Sequence, residues 1–377
     1  VMTTINPPKR NLNKLLKLPE PWKIVVIGDN QTNYTKWQKF KNSTKLIYLS
    51  VEDQLKLGYN TTKFIPLNSY TRKNIGYLYA IQKGANEIYD IDDNIKLFNN
   101  FFINVYVNKY TVYAENNDSV MINPYDYFGK PSMWPRGFRL KDIEKKFDNK
   151  FYRILSSRTN LNHLIYQGLL NIEPDIDSIY SQTRIIKKKP VTQKFTYAGN
   201  LMYLPGNFVP INSKNTRYLY NIFPSLALPI SVPKRVNDIW RGYIMQRYAW
   251  IYNGTVIFQH ACAEHRRNHH KDNSNFIKAV TTHCFIKPAF SAFLNPVQFI
   301  SVSKLSYEPK KFSHQNKEFA VLYKNQDVLA YLSELKEDEH PVMEKILTQK
   351  LSGLEAQLIK RKLRNLNFSS YSELYKV

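Results

Sequence analysis

At 377 residues, with 43% apolar side chains and 12 glycines, the chain has material for one large packed α/β domain plus a smaller appendage, which excludes disorder and fibrous repeats. A surplus of 54 Lys and Arg over 30 Asp and Glu, net +24, suits an anionic partner such as a nucleotide diphosphate, an acidic glycan, a membrane surface or nucleic acid. Two cysteines, Cys262 and Cys284, exclude a disulfide framework but permit one bridge, and no apolar run reaches the roughly 20 residues of a membrane helix.

Residues 1–20, with Pro7-Pro8-Lys9-Arg10, read as a basic leader or stalk, and the opening Val1-Met2 suggests a fragment from which an upstream anchor has been removed. Residues 21–300 read as the main domain. Lys23 to Asp29 is a β-branched, almost wholly apolar run, as expected of a central parallel strand buried on both faces. Asp29 stands at its carboxyl end, where α/β sheets bind nucleotides. A second strand is expected over Lys45 to Ser50. A helix is expected over Thr71 to Lys83, capped by Thr71 and stopped by Gly84, followed by a strand over Glu87 to Ile91. This strand, helix and acidic strand end form a βαβ-type unit. Tyr106 to Tyr220 reads as strands and loops, Val236 to Tyr252 as a helix, and 301–377 as a C-terminal helical extension with Leu347, Leu351, Leu354 and Leu358 on one face.

Asp90, Asp92, Asp93 and Asn94 form a hard oxygen donor set at a strand end, suited to Mn²⁺ or Mg²⁺ bridging a diphosphate. Strand alternation points Asp90 and Asp92 one way, and the chain beyond the strand turns Asp93 and Asn94 towards a ligand. Arg72, Asn74 and Gly76 at a helix start offer basic, amide and backbone groups to a phosphate, and a helical glycine signals a close backbone approach.

Arg72-Lys73-Asn74-Ile75-Gly76-Tyr77-Leu78-Tyr79-Ala80-Ile81, Gly84-Ala85 and the acidic run resemble the STELLO family of glycosyltransferases. Trp134-Pro135-Arg136-Gly137-Phe138, Pro174-Asp175-Ile176-Asp177, Pro210 to Thr216 and Asp238-Ile239-Trp240-Arg241-Gly242-Tyr243 follow in family order, covering about Trp22 to Asp272. The resemblance implies a GT-A-type fold, that is, a Rossmann-type, mostly parallel sheet flanked by helices. It also implies distant kinship with the UDP-arabinopyranose mutases, whose third acid is replaced here by Asn94, and a Golgi or other secretory-lumen setting. Seven Asn-x-Ser/Thr sequons lean weakly the same way, with the cytoplasm as the alternative.

Several further residues enter as nucleotide-sugar contacts with a competing local role. Asp238 is a general base for an acceptor, together with Asp92 at the reaction centre, or a helix cap. Arg241 and Arg247 clamp phosphate or pair with nearby acids. Trp134 and Arg136 stack on and bind a nucleotide or sugar, or form a Pro-fixed turn. Asp175 and Asp177 contact substrate or order a loop. His265, in a His-rich basic segment without Cys-x-x-Cys spacing, approaches the diphosphate or metal, or is solvated. The expectation is a metal-dependent transfer of a sugar from a nucleotide sugar, a UDP-sugar, to a glycan or protein acceptor. The alternative is an inactive scaffold of the same fold that assembles other enzymes. A nucleic-acid partner ranks low, because Lys187-Lys188-Lys189 comes without a reading element.

Overall fold

The computed structural model describes residues 1–265 apart from 10–11, 100, 102–108, 115–120, 139–149, 156–161, 178–179, 181–184, 187–188, 191–192, 197–198, 231 and 233. The C-terminal extension and Cys284 lie outside the described residues.

Ile24–Gly28 is the expected buried strand, β2, with every residue buried. It pairs in parallel with β3 (Leu46–Leu49) on one side, Ile24 opposite Leu46. On its other side lies β1 (Met2–Thr4), Met2 opposite Val26. The expected basic leader is therefore part of the packed structure. Met2 is buried, and α1 (Leu12–Leu16) buries Leu12 and Leu15 in the same core cluster as Val26 and Leu46. Apolar side chains at helical spacing, masked in the sequence by the surrounding lysines and prolines, explain the difference.

The chain leaves β3 into α2 (Val51–Lys56), opened by a reciprocal Ser50–Asp53 capping box. α3 (Lys73–Gln82) follows a single 3₁₀ turn over Tyr70–Arg72 whose cap is Ser69 rather than Thr71. Gly84, at φ +80°, ends this helix in the left-handed region that glycine adopts freely. β4 (Glu87–Ile91) and β5 (Ile95–Leu97) bracket the acidic turn.

After β6 (Lys109–Ala114), α4 (Pro124–Tyr127), β7 (Lys150–Leu155), β8 (Asn162–Ile172), the short β9 (Ile185–Ile186) and β10 (Lys189–Pro190), β11 (Asn200–Tyr203) and β12 (Asn215–Leu219), the helix α5 (Asn237–Ala249) and β13 (Gly254–His265) complete the described elements. An eight-stranded sheet has the order β4-β12-β8-β13-β11-β6-β7, with β5 on β13. It is mixed, not mostly parallel. β12 runs antiparallel to both β4 and β8, and β13 antiparallel to β11 and β5, while β8–β13 and β11–β6 are parallel. The parallel expectation holds for the smaller sheet, where helical crossovers intervene, and fails where long returns replace them. Ile91 N–H donates to Val1 C=O at 3.1 Å, so the edge of the parallel sheet meets β4 and brings the end of β1 beside the acidic turn.

One face of the large sheet is covered by α3, α5 and the 220–228 segment, with Tyr77, Trp240, Tyr243, Phe208 and Phe223 fully buried between them. No described helix is long and apolar enough to cross a membrane.

Candidate functional site

The site forms where β4 ends. Asp92 and Asp93 leave the strand into a turn, and each side chain is about one-fifth exposed, at 19% and 20%. Asp92 Oδ1 accepts from Tyr70 Oη (2.8 Å) and from Lys73 Nζ (3.0 Å). Lys73 is fully buried, yet its amine is held above its ordinary pKa. Burial alone lowers it, and Asp90 and Asp92 together more than offset that. Burial and the same carboxylates push the Tyr70 hydroxyl well up, so it stays a donor.

Asp93 is held from the other sheet. Its Oδ2 accepts from Thr4 Oγ1 (2.5 Å) and Asn6 Nδ2 (2.8 Å), and Lys9 Nζ lies 3.8 Å from its Oδ1. Thr4, Pro7, Lys9 and Trp37 line a hollow with Asp92 and Asp93. Asn94 Nδ2 lies 3.0 Å from His265 Nε2, and His265 Nδ1 lies 3.1 Å from the Glu173 carbonyl. Only an Nδ1 proton satisfies that carbonyl, so Nε2 accepts from the Asn94 amide. Asn94 Oδ1 is left buried with no hydrogen-bond partner among the described residues.

Ser213 joins this turn to a second charged cluster. Its carbonyl accepts from Lys73 at 3.1 Å and lies 3.1 Å from the Tyr70 oxygen, whose one proton goes to the nearer Asp92, and its N–H donates to Asp238 Oδ2 at 3.4 Å. Asp238 stands in the first turn of α5 and is bound by both terminal nitrogens of Arg136, at 2.8 and 2.6 Å. Arg136 also grips Asp175 at 2.8 to 3.0 Å, and Lys214 Nζ meets Asp175 Oδ1 at 2.6 Å. Burial would raise both carboxyls. Arg136, joined at Asp175 by Lys214, outweighs burial and holds them below the ordinary carboxylate range.

Several expected contacts prove to be internal. Asp90 does share a face with Asp92, but that face lies under α3, where Asp90 is fully buried against Lys73 (2.6 Å) and Tyr77 Oη (2.6 Å) and cannot reach a ligand. Arg72 is buried on Gln54, which in turn bonds the Gly28 and Leu49 carbonyls. Asn74 forms a two-way amide clamp with the backbone of Leu228. Gly76 does mark a close approach, to Ile27 and Val1 rather than to a phosphate. The start of α3 is thus covered by protein.

Arg241 is buried among Tyr77, Ser213, Tyr218 and Leu226, 3.5 Å from Asp90. Arg247 sits over the Trp250 ring. Trp134 packs at a tilt on Tyr180, and Asp177 Oδ1 accepts from Tyr180 N–H, so both order a turn. Asp29 accepts from the N–H groups of Asn68 and Ser69 and shapes the loop before α3. The structure therefore brings together Asp92, Asp93, Asn94 and His265, and beside them Arg136, Asp175 and Asp238. Sequence reading missed Thr4, Asn6, Tyr70, Lys73, Ser213 and Lys214. Lys73 was the most legible of these, since it stands between Arg72 and Asn74 at a helix start that precedes an acidic strand end.

Among the described residues no three His, Cys, Asp or Glu side chains converge as a metal cage. Both His265 nitrogens are engaged, by the Glu173 carbonyl and the Asn94 amide, so the donor set is all oxygen: two carboxylates and the orphaned Asn94 amide oxygen. These are groups a divalent cation accepts.

A mixed α/β protein with an acidic turn at a strand end, backed by a buried charge network, is the class that fold and site define. No family model matches the chain. Over 270 residues, 68% of this chain and 34% of each relative, it is 32% identical to "Probable glycosyltransferase STELLO2" and 33% identical to "Probable glycosyltransferase STELLO1", both of Arabidopsis thaliana. A stretch of 125 residues, 33% of this chain and 36% of the relative, is 30% identical to "dTDP-rhamnosyl transferase RfbF" of Shigella flexneri. The chain belongs to the STELLO family. It spans about a third of the length of the STELLO relatives it matches.

Proposed function

We propose that this chain carries the sugar-transfer site of a glycosyltransferase on a GT-A-type scaffold, acting on a nucleotide sugar, a UDP-sugar, with Mn²⁺ or Mg²⁺ and a glycan or protein acceptor in a secretory lumen. The observation that carries the reading is the turn Asp92-Asp93-Asn94: two carboxylates about one-fifth exposed at a strand end, each oriented by a separate element, beside a buried amide oxygen that has no partner among the described residues. The glycosyltransferase names of three relatives support the reaction class.

Asp92, Asp93 and the Asn94 amide oxygen would hold the cation, with His265 orienting Asn94, and the bound cation would offset the negative charge of a departing diphosphate. The remaining work falls to the chain itself. Tyr70 and Lys73 fix the Asp92 carboxylate, and Ser213 fixes Asp238 relative to it. Asp238 is a carboxylate at neutral pH, but Arg136 occupies both its oxygens, so accepting an acceptor's proton requires that Arg136 turn towards Asp175. The same clamp, with Asn94 in place of an acid, favours the second reading, an inactive scaffold of glycosyltransferase fold.

Calorimetric titration with UDP and Mn²⁺ tests the first reading. Wild type should bind UDP in a Mn²⁺-dependent manner, and Asp92→Ala should remove that dependence. UDP binding that Mn²⁺ does not tighten, or no binding of any nucleoside diphosphate, sinks it, whereas Mn²⁺-tightened binding without transfer or hydrolysis of any donor supports the scaffold.

A further inference from the structure

We propose that Thr4 and Asn6, at the end of β1, are positioning residues that set the cation affinity of the site by holding Asp93 in a single-oxygen mode. The inference rests on the functional reading above and deepens it.

Asp93 Oδ2 receives two neutral donors, the Thr4 hydroxyl at 2.5 Å and the Asn6 amide at 2.8 Å. The Thr4 hydroxyl has one proton, and the nearer Asp93 oxygen takes it in preference to the Asn6 carbonyl at 3.2 Å. With Oδ2 occupied, Asp93 has Oδ1 to offer a cation; Lys9 Nζ, on a side chain 39% exposed, lies 3.8 Å from it.

The donors are themselves fixed. Asn6 N–H donates to Thr4 Oγ1 at 2.9 Å, and Trp37 Nε1–H donates to the Asn6 carbonyl at 3.1 Å. The Thr4 carbonyl accepts from Thr32 Oγ1, which accepts in turn from Asp29 N–H, both at 2.7 Å. The loop after β1 is thus tied to the ends of β2 and to the Trp37–Tyr48 stack. Asp93, in a turn of β4, borrows its rigidity from the parallel sheet. Outer groups that orient a ligating carboxylate change metal affinity by about 10–100-fold when removed.

The test is Mn²⁺ binding by electron paramagnetic resonance in the presence of saturating UDP, with UDP binding in EDTA measured alongside. Thr4→Val and Asn6→Ala should each weaken Mn²⁺ by about 10-fold or more, and Thr4→Ser should restore wild-type affinity. UDP affinity in EDTA should stay unchanged in all three variants.

Unchanged Mn²⁺ affinity in Thr4→Val and Asn6→Ala, while wild type binds Mn²⁺ with UDP, overturns the inference and leaves the functional reading standing. Weakened UDP binding in EDTA also overturns it, since these side chains would then contact the nucleotide directly. Failure of wild type to bind Mn²⁺ with UDP overturns both. A purely structural role would lower the melting temperature of Thr4→Ser along with Thr4→Val and leave Mn²⁺ affinity unmoved below the transition.

Discussion

Arg136 binds two buried carboxylates at once, and that single side chain sets how the second charged cluster responds to pH. Asp175 and Asp238 are held below their unfolded value of about 4, so their contribution to stability is fully present above about pH 4 and is lost as pH falls below it. In Arg136→Met, Lys214 still pairs with Asp175, but Asp238 is left buried without a cation. We expect a loss of about 3–5 kcal/mol near neutral pH, the range for breaking a buried pair by removing one partner. The slope should also reverse. Burial then raises the folded value of Asp238 above the unfolded one, so the variant regains stability as pH drops from about 7 towards 4. Urea midpoints across that interval, where these carboxylates leave the wild type level, measure both effects, and a variant midpoint that stays level or falls with acidification would contradict the assignment.

At the level of elements, α3 docks on the parallel sheet through backbone proximity and a clamp, with its apolar face completing the contact. A Cβ added at Gly76 would lie 2.6 Å from Val1 Cγ1 and 2.9 Å from Ile27 Cγ1. Gly76→Ala gains about 1 kcal/mol of helix propensity and incurs about 1–3 kcal/mol of overpacking, so a modest net destabilisation is expected. Asn74→Ala removes both bonds to Leu228 and leaves a buried N–H and C=O unmet, which should cost about 2–4 kcal/mol. Neither variant should change UDP affinity once stability is accounted for. Weakened UDP binding in well-folded Gly76→Ala would restore the phosphate-contact role expected from the sequence.

For the whole molecule, β1 is the joint between the two sheets. It pairs with β2 along Met2–Thr4, and Val1 C=O accepts from β4 at Ile91. Removing residues 1–8 would take Met2 out of the core and expose Val26 and its neighbours, at about 1.5–3 kcal/mol for each large apolar side chain lost or uncovered. It would also free Asp93. Chemical denaturation should show a clearly lowered midpoint. An unchanged midpoint would mean that the two sheets hold together without this strand.

Several strands and helices of both sheets were legible from local patterning. The all-buried run at Ile24–Gly28, the strand at Glu87–Ile91 and the helix ending at Gly84 follow from hydrophobic period and glycine placement, which act over a few residues. The helix over Asn237–Ala249 was visible for the same reason. Strand direction in the large sheet was not, because β8 and β13 lie some 90 residues apart yet pair in parallel, and no local signal encodes a partner that distant.

The candidate site divides along the same line. Chain proximity alone marked Asp92, Asp93 and Asn94. Which carboxylate faces a ligand was decided by tertiary packing, which buries Asp90 under α3 with Lys73 and leaves Asp92 and Asp93 partly exposed. The same packing turned Arg72, Asn74 and Arg241 inwards and brought Thr4 and Asn6 across 87 or more positions to Asp93. A residue's type states what chemistry it can perform. Whether it meets water, a neighbour or a substrate depends on contacts between segments far apart in the chain, and those exist only once the sheets have come together.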